Sequence, residues 1–309
     1  MAHNHSHSHN HHHHEHGTNN YSRAFMIGTI LNLGFVIIEA VYGYLAHSLA
    51  LLADAGHNMS DVLGLLLAWG ASFLGSRPPS QRYTYGLRRS SILAALINAI
   101  ALLLVMGGIA WEAVQRFHSP ASVGGSTVIA VAMVGIVINT ITALMFMSGR
   151  KHDLNIRGAF LHMAADAGVS LGVVLAGIAI VFTGWLWFDP VVSLIIVAVV
   201  VFGTWQLLKD SVNLALDAVP EGIEPLAVQT YLSELPGVTQ IHDLHIWAMS
   251  TTETALTAHL VMSSGHPGDD FLVHTCKELH DHFGIEHSTL QIEIGDSNQT
   301  CALASHHRV

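Results

Sequence analysis

LLADAGHNMSDVLGLLLAW, residues 51–69, decides how the chain reads. It is long and apolar enough to lie in a bilayer, yet Asp54, His57 and Asp61 interrupt it. A second stretch, AFLHMAADAGVSLGVVLAG at 159–177, has the same character and carries His162 and Asp166. In both, a histidine precedes an aspartate by four residues, which on a helix places the two side chains on one face, a turn apart. Ionisable groups at bilayer depth are costly and tend to be functional. A lone histidine there is accounted for by a hydrogen bond to a neighbouring helix, but the same pair in two separate segments points to a shared ligand. Each helix then offers half of a site. Two imidazoles and two carboxylates complete a four-coordinate shell for Zn²⁺, and the carboxylates neutralise the dication, which offsets much of its desolvation cost. Asp54, one turn before His57, is a candidate for a carboxylate behind the ligands or for an access group. Asn32, Glu39 and Asn139 are weaker candidates, read as helix-to-helix hydrogen-bonding residues.

Outward from these stretches, the 309 residues are 51% hydrophobic and only 11% charged, with a mean hydropathy of +0.45, a balance that excludes disorder and points to the membrane. Apolar runs of membrane-spanning length predict six helices, near 24–46, 49–75, 90–115, 124–148, 157–183 and 189–208. The third, fourth and sixth are free of ionisable residues over 90–111, 119–149 and 190–208. Lysine and arginine sort by side: Arg23, Arg77, Arg82, Arg88, Arg89, Arg150, Lys151, Arg157 and Lys209 fall on one side, and only Arg116 on the other. The positive-inside rule therefore places both termini in the cytoplasm of an integral membrane protein, in the inner or plasma membrane if the cell is bacterial.

Two flanks differ from this core. Residues 1–23 are expected to be a disordered cytoplasmic tail, because the first sixteen hold nine histidines interleaved with Asn and Ser, a composition that collects cations and buries nothing. After the span domain, 24–208, residues 209–309 read as a separate cytoplasmic domain whose last hundred residues carry 14 acidic against 2 basic side chains. Such a surface repels phosphate backbones and excludes a nucleic-acid partner. Its pattern reads helix 224–235, strand 238–248, strand 254–263, helix 269–283 and strand 287–294, an αββαβ order that suits a small open sheet covered on one face. His242 and His245 lie three apart, so a regular strand points them to opposite faces and only one can join a given site. Cys276 and Cys301 are too few for a disulfide framework, and HExxH, GxSxG and the phosphate-cradling P-loop pattern are absent, so no enzyme chemistry or organic cofactor is indicated.

ALLADAGHNMSD at 50–61, HMAAD at 162–166, YTYGLRR at 83–89, HDLHIW at 242–247 and HSTLQIE at 287–293 resemble the cation diffusion facilitators, which are zinc-proton antiporters. The likeness covers nearly the whole chain. It implies an all-α six-helix transmembrane bundle with a C-terminal α+β, ferredoxin-like cytoplasmic domain, a homodimer in the lipid bilayer, and alternating access around His57, Asp61, His162 and Asp166. In the family, two histidines with two aspartates go with zinc preference, whereas sites richer in carboxylate also admit cadmium. The resemblance also implies a cytoplasmic zinc site drawn from His242, His259, His287 and Glu293, with Cys301 and His306–His307 as further contributors. It brings Arg88 and Arg89 to the acidic domain, where Asp210 and Asp217 are the expected partners and Arg89–Asp217 the first choice. Where many members place histidine or acid before the third span, this chain has Leu87, Arg88, Arg89 and Ser91.

The expected activity is export of Zn²⁺ from the cytoplasm in exchange for protons, with zinc both cargo and regulatory ligand. Imidazole can hold a proton or a metal on one nitrogen, never both, so exchange follows from the ligands themselves. The alternatives are a membrane-anchored zinc sensor, which leaves the duplicated pair unexplained, and an intramembrane metal-dependent hydrolase with Asp54 pressed into service as base.

Overall fold

The computed structural model describes residues 18–147, 154–295, 301 and 303. The histidine-rich tail, Arg150, Lys151 and the His306–His307 pair lie outside the described residues. Six long helices come first: α1 (Thr18–Leu45), α2 (Leu49–Gly75), α3 (Ser90–Arg116), α4 (Gly125–Phe146), α5 (Leu154–Thr183) and α6 (Phe188–Ala215). Five of them, all but α2, are long and apolar enough to cross a membrane. With 27 residues α2 has the length, but Asp54, His57 and Asp61 dilute its hydropathy. The helices match the six expected apolar runs, except that α1 begins at Thr18, before the expected 24 and within the tail expected to be disordered over 1–23, and α6 continues to Ala215, past the predicted end at 208.

The chain divides into two compact units, one built from residues up to Val62 with Leu104–Val200, the other from Leu63–Leu103 with Val201 onward. In the first unit α4 and α5 run antiparallel with small residues at the contact. A Cβ on Gly125 would stand 3.2 Å from the Gly177 carbonyl oxygen, and a Cβ on Gly177 equally close to that of Gly125. Gly135 seats the Phe35 ring of α1 and would place a Cβ 3.1 Å from Ser170 Oγ of α5. Close backbone approach of this kind is how helices hold together in lipid, where burial between helices gives no hydrophobic gain. The start of α2 is capped from a distance: Asp189 of α6 accepts hydrogen bonds from Ser48 Oγ (2.5 Å), Leu49 N (2.8 Å) and Ala50 N (3.3 Å), and Arg116 Nη1 lies 3.5 Å from the same carboxylate. An acceptor at these orphan amides does the work of a local N-cap.

In the second unit, α7 (Pro225–Ser233), β1 (Gln240–Ala248), β2 (Thr254–Val261), α8 (Asp269–Phe283) and β3 (His287–Glu293) form a small α+β domain in the expected αββαβ order. The sheet order is β1-β2-β3, antiparallel between β1 and β2 and parallel between β2 and β3, with α8 as the crossover. Pro225 opens α7 and Gly284, at φ +66°, closes α8 in the left-handed conformation that favours glycine. Leu256 and Leu260 of β2 pack with Val228 and Leu232 of α7 and Leu279 of α8. The intervening β2 residues Thr257 and His259 take the other face.

The backbone departs from the regular strand expected around HDLH. Asp243 sits at φ +52°, and the register jumps from His242↔His259 to His245↔Thr257. Three steps of β1 thus oppose two of β2, a bulge that returns His242 and His245 to the same face. The expectation of opposite faces is corrected by this one extra residue.

Candidate metal centre

His57 and Asp61 stand one turn apart on α2, and His162 and Asp166 one turn apart on α5, all within the first unit. The four side chains close a ring in which imidazoles and carboxylates alternate. His57 Nε2 lies 3.8 Å from Asp61 Oδ2 and 3.6 Å from Asp166 Oδ1; His162 Nε2 lies 3.2 Å from Asp61 Oδ2 and 3.7 Å from Asp166 Oδ2. The imidazole centroids are 6.0 Å apart, with ring planes at 79°. Asp61 Oδ2 and Asp166 Oδ2 are buried without a hydrogen-bond partner. One ligand atom from each of Asp61, His162 and Asp166 lies within 4.8 Å of the others, a spacing open to a tetrahedral cation, whose bonds near 2.0 Å set ligand-to-ligand spacings of roughly 3.3 Å; His57 stands outside this group of three and closes the ring through its approaches to the two carboxylates. The ring is unevenly covered, with Asp61 and His162 side chains 36% and 41% exposed against 22% for His57 and 2% for Asp166. Access therefore comes from the side of the α2 C-terminus and the α5 N-terminus.

Behind the buried half, Asp54 accepts hydrogen bonds from Asn58 Nδ2 (3.4 Å) and Ser170 Oγ (3.1 Å), and the same amide donates to Glu39 Oε2 at 3.3 Å. Asp54 thus lies outside the ring, toward the start of α2. Asn32 donates to Met163 Sδ at 3.5 Å, a helix-to-helix bond of the kind expected for it, whereas both polar atoms of Asn139 are buried without a partner. The sequence holds no sign of the closeness of Glu39 and Asp54, because the two stand on different helices and leave no spacing to read.

A second cluster forms on the sheet face opposite the core. His259 Nδ1 lies 2.9 Å from Glu293 Oε1, His242 Nε2 lies 3.4 Å from Glu293 Oε2, and Cys301 Sγ lies 3.6 Å from His259 Nδ1. One ligand atom from each of the four lies within 4.8 Å of the others, and both ring nitrogens of buried His242 lack a hydrogen-bond partner. Two nitrogens, a carboxylate and a thiol make a zinc-type donor set. The bulge adds Asp243, whose carboxylate lies 3.1 Å from His245 Nε2 and 3.5 Å from His259 Nε2. Burial acts to raise the Glu293 carboxyl, but hydrogen bonds involving Cys301 and Gln291 and the nearby His242 and His259 outweigh it and hold the group below its usual range. His287 is not brought into this cluster. It sits at the far end of β3, edge-on to Tyr85 with ring centroids 5.5 Å apart.

Arg89 pairs with Asp217, the expected first choice. Arg88 takes Glu253 at 2.6 Å, while Asp210 accepts from Gln206 at 2.8 Å. Ser91 Oγ accepts from the Thr251 amide at 3.1 Å, so the first turn of α3 and the residues just before it are tied to the β1–β2 turn at two points.

Residues 25–214 match the family model described as the cation efflux transmembrane domain, and residues 220–294 match that of the cation efflux protein cytoplasmic domain. A cadmium, cobalt and zinc/H(+)-K(+) antiporter of Bacillus subtilis is 37% identical over 286 residues, 91% of this chain and 92% of that protein. The zinc transporter ZitB of Escherichia coli is 37% identical over 277 residues, covering 89% of this chain and 88% of its own length. The metal cation efflux system protein CzcD of Cupriavidus metallidurans is 37% identical over 281 residues, 91% and 89% of the two chains.

Proposed function

Because the chain belongs to the cation efflux family, whose members are membrane transporters and not enzymes, we propose that it exports Zn²⁺ from the cytoplasm in exchange for protons. The observation that carries this reading is the closed ring of His57, Asp61, His162 and Asp166, in which two buried carboxylate oxygens have no hydrogen-bond partner. In this reading the six helices form the transmembrane bundle, the αββαβ domain is ferredoxin-like and cytoplasmic, both termini are cytoplasmic, and the chain works as a homodimer. Residues 24–208 carry the cargo, 209–309 sense metal and dimerise, and the histidine-rich tail 1–23 gathers cations.

The ligand chemistry gives the cycle. On the cytoplasmic side, neutral imidazoles and ionised carboxylates take up Zn²⁺ and the neutralised site becomes tolerable in low dielectric. On the far side protons compete for the same imidazole nitrogens and displace the ion. The exposed pair, Asp61 and His162, is the face through which zinc would arrive in the state seen here. Selection of zinc follows from two imidazoles with two carboxylates, a borderline-soft set. The Bacillus relative's name adds potassium to the proton as a counter-substrate, which supports a countercation cycle here as well. His242, His259, Glu293 and Cys301 would take a regulatory zinc, with Arg88 and Arg89 relaying its effect.

The deciding experiment is zinc uptake into sealed vesicles carrying the full chain, driven by an imposed pH gradient. Gradient-driven accumulation is expected; zinc binding without accumulation would favour the sensor reading.

A further inference from the structure

Toward the Leu45 end of α1 and the Leu49 end of α2, a turn beyond His57, Glu39 and Asp54 are buried with no solvent exposure. Asn58 bridges them through Nδ2, to Glu39 Oε2 at 3.3 Å and Asp54 Oδ1 at 3.4 Å, and Ser170 Oγ donates to Asp54 Oδ2 at 3.1 Å. Three of the four carboxylate oxygens are thereby occupied. Glu39 Oε1 alone is buried without a partner. Two carboxylates this deep are unfavourable unless positive charge accompanies them. Among the described residues no arginine or lysine supplies it: α4 carries no ionisable residue over 125–146, and the ionisable groups of α2 and α5 on this side are His57, Asp61, His162 and Asp166, all in the ring. Asp189 of α6 is committed to capping α2, with Arg116 beside it.

A second observation points the same way. Asn139 is fully buried with neither polar atom partnered, on α4 one turn from Gly135, where a Cβ would stand 3.1 Å from Ser170 Oγ. Glu39, Asn139, His57, Asp61 and Asp166 thus each bury at least one polar atom that has no hydrogen-bond partner.

We propose that Glu39 and Asp54, bridged by Asn58, form a second cation seat that holds one monovalent counter-cation of the exchange while the ring is without zinc. The proposal rests on the transport reading above. The size of the charge follows from the donors. A hard divalent ion asks for about six oxygens, whereas Asn58 and Ser170 already hold three of these four. A single open oxygen suits a proton; an alkali ion would have to displace Asn58 or Ser170 to gather its own oxygens. Occupancy here, one turn from His57, opposes a second positive charge in the ring, so filling the seat weakens zinc's hold, and zinc in the ring empties the seat. That reciprocity is what an exchanger needs, and it places part of the coupling outside the zinc ligands.

The test uses the full-length chain in proteoliposomes, comparing Glu39→Gln and Glu39→Asp with the wild type in three assays. These are zinc-for-zinc exchange, net zinc uptake driven by a pH gradient without potassium, and net uptake driven by a potassium gradient at equal pH. Glu39→Gln is expected to lower net uptake about ten-fold or more while zinc-for-zinc exchange, which needs no counter-cation, stays within about three-fold, and Glu39→Asp should restore net uptake. The gradient whose effect disappears identifies the seated ion as proton or potassium. Net uptake by Glu39→Gln with the wild-type number of counter-cations per zinc would overturn the proposal, as would equal loss of both kinds of flux in a variant that still binds zinc. Absence of any gradient-driven uptake by the wild type would instead sink the transport reading.

Discussion

Arg89 meets Asp217 where the backbone has just left α6, and Asp217 holds that position at φ +61°. Glycine occupies such a conformation more cheaply, so an aspartate there spends backbone energy to present a carboxylate. Both side chains are about half exposed, at 51% and 53%, and an isolated pair of this kind contributes about 0–1 kcal/mol. Alongside Arg88–Glu253 it ties the segment before α3 to the acidic domain, and any value to transport would come from that tie.

Charge reversal separates these roles. Arg89→Asp and Asp217→Arg should each reduce zinc flux, and the double reversal should recover much of the loss. Simple addition of the two losses would show that the residues do not communicate. Asp217→Gly should raise thermal stability by about 1 kcal/mol through relief of the left-handed conformation, yet lower flux through loss of the pair.

Removing any ring ligand, by His57→Ala, Asp61→Ala, His162→Ala or Asp166→Ala, should lower vesicle zinc uptake at least about a hundred-fold, because three donors no longer complete the shell. Near wild-type flux in any properly inserted variant would exclude that residue. His57→Asp should retain transport and shift competition toward cadmium, as a carboxylate replaces an imidazole.

Metal binding by the sheet cluster should depend on each of its donors. Glu293, held below its usual range, contributes a stabilisation that is present above the ordinary carboxylate range near 4.3 and fades only as pH falls through its lower folded value. Glu293→Gln and His242→Ala should each weaken zinc binding by the full chain at neutral pH, read by calorimetric titration; unchanged affinity in either variant would exclude that residue as a ligand.

Asp189→Ala should unfold more easily, by about 1–2 kcal/mol, since it uncaps the first turn of α2 and leaves Ser48 and two amides unpaired. Asp189→Asn should recover part of the loss. Equal melting of all three proteins in detergent would show the cap to be dispensable.

Much of this arrangement was legible in the sequence because its signals are periodic. Apolar runs gave six helices with ends close to those observed, and HxxxD twice gave the ring, since i and i+4 are neighbours on any helix. α6 outran its prediction because hydropathy measures the bilayer, whereas Lys209, Asp210 and Asn213 prolong a helix in water as readily. The HDLH bulge was missed because it depends on one non-glycine residue adopting positive φ; the aspartate, among the few types that tolerate it, was the available hint. His287 was misplaced for a related reason. Nothing in HSTLQIE says which end of the strand lies against His259. Glu39–Asp54 was invisible as a pair because a contact between two helices has no sequence period.

Gly125 and Gly177 leave no width between α4 and α5 for even a methyl group. A seam so tight resists shear between α4 and α5, and His162 and Asp166 are tied to it while His57 and Asp61 stand on α2. A shift of α2 against α5 would therefore open the ring itself, and an ion held by both pairs would act as a bolt against that shift. Gly125→Ala or Gly177→Ala, by prising the seam apart, would loosen the bolt hole without touching a single ligand.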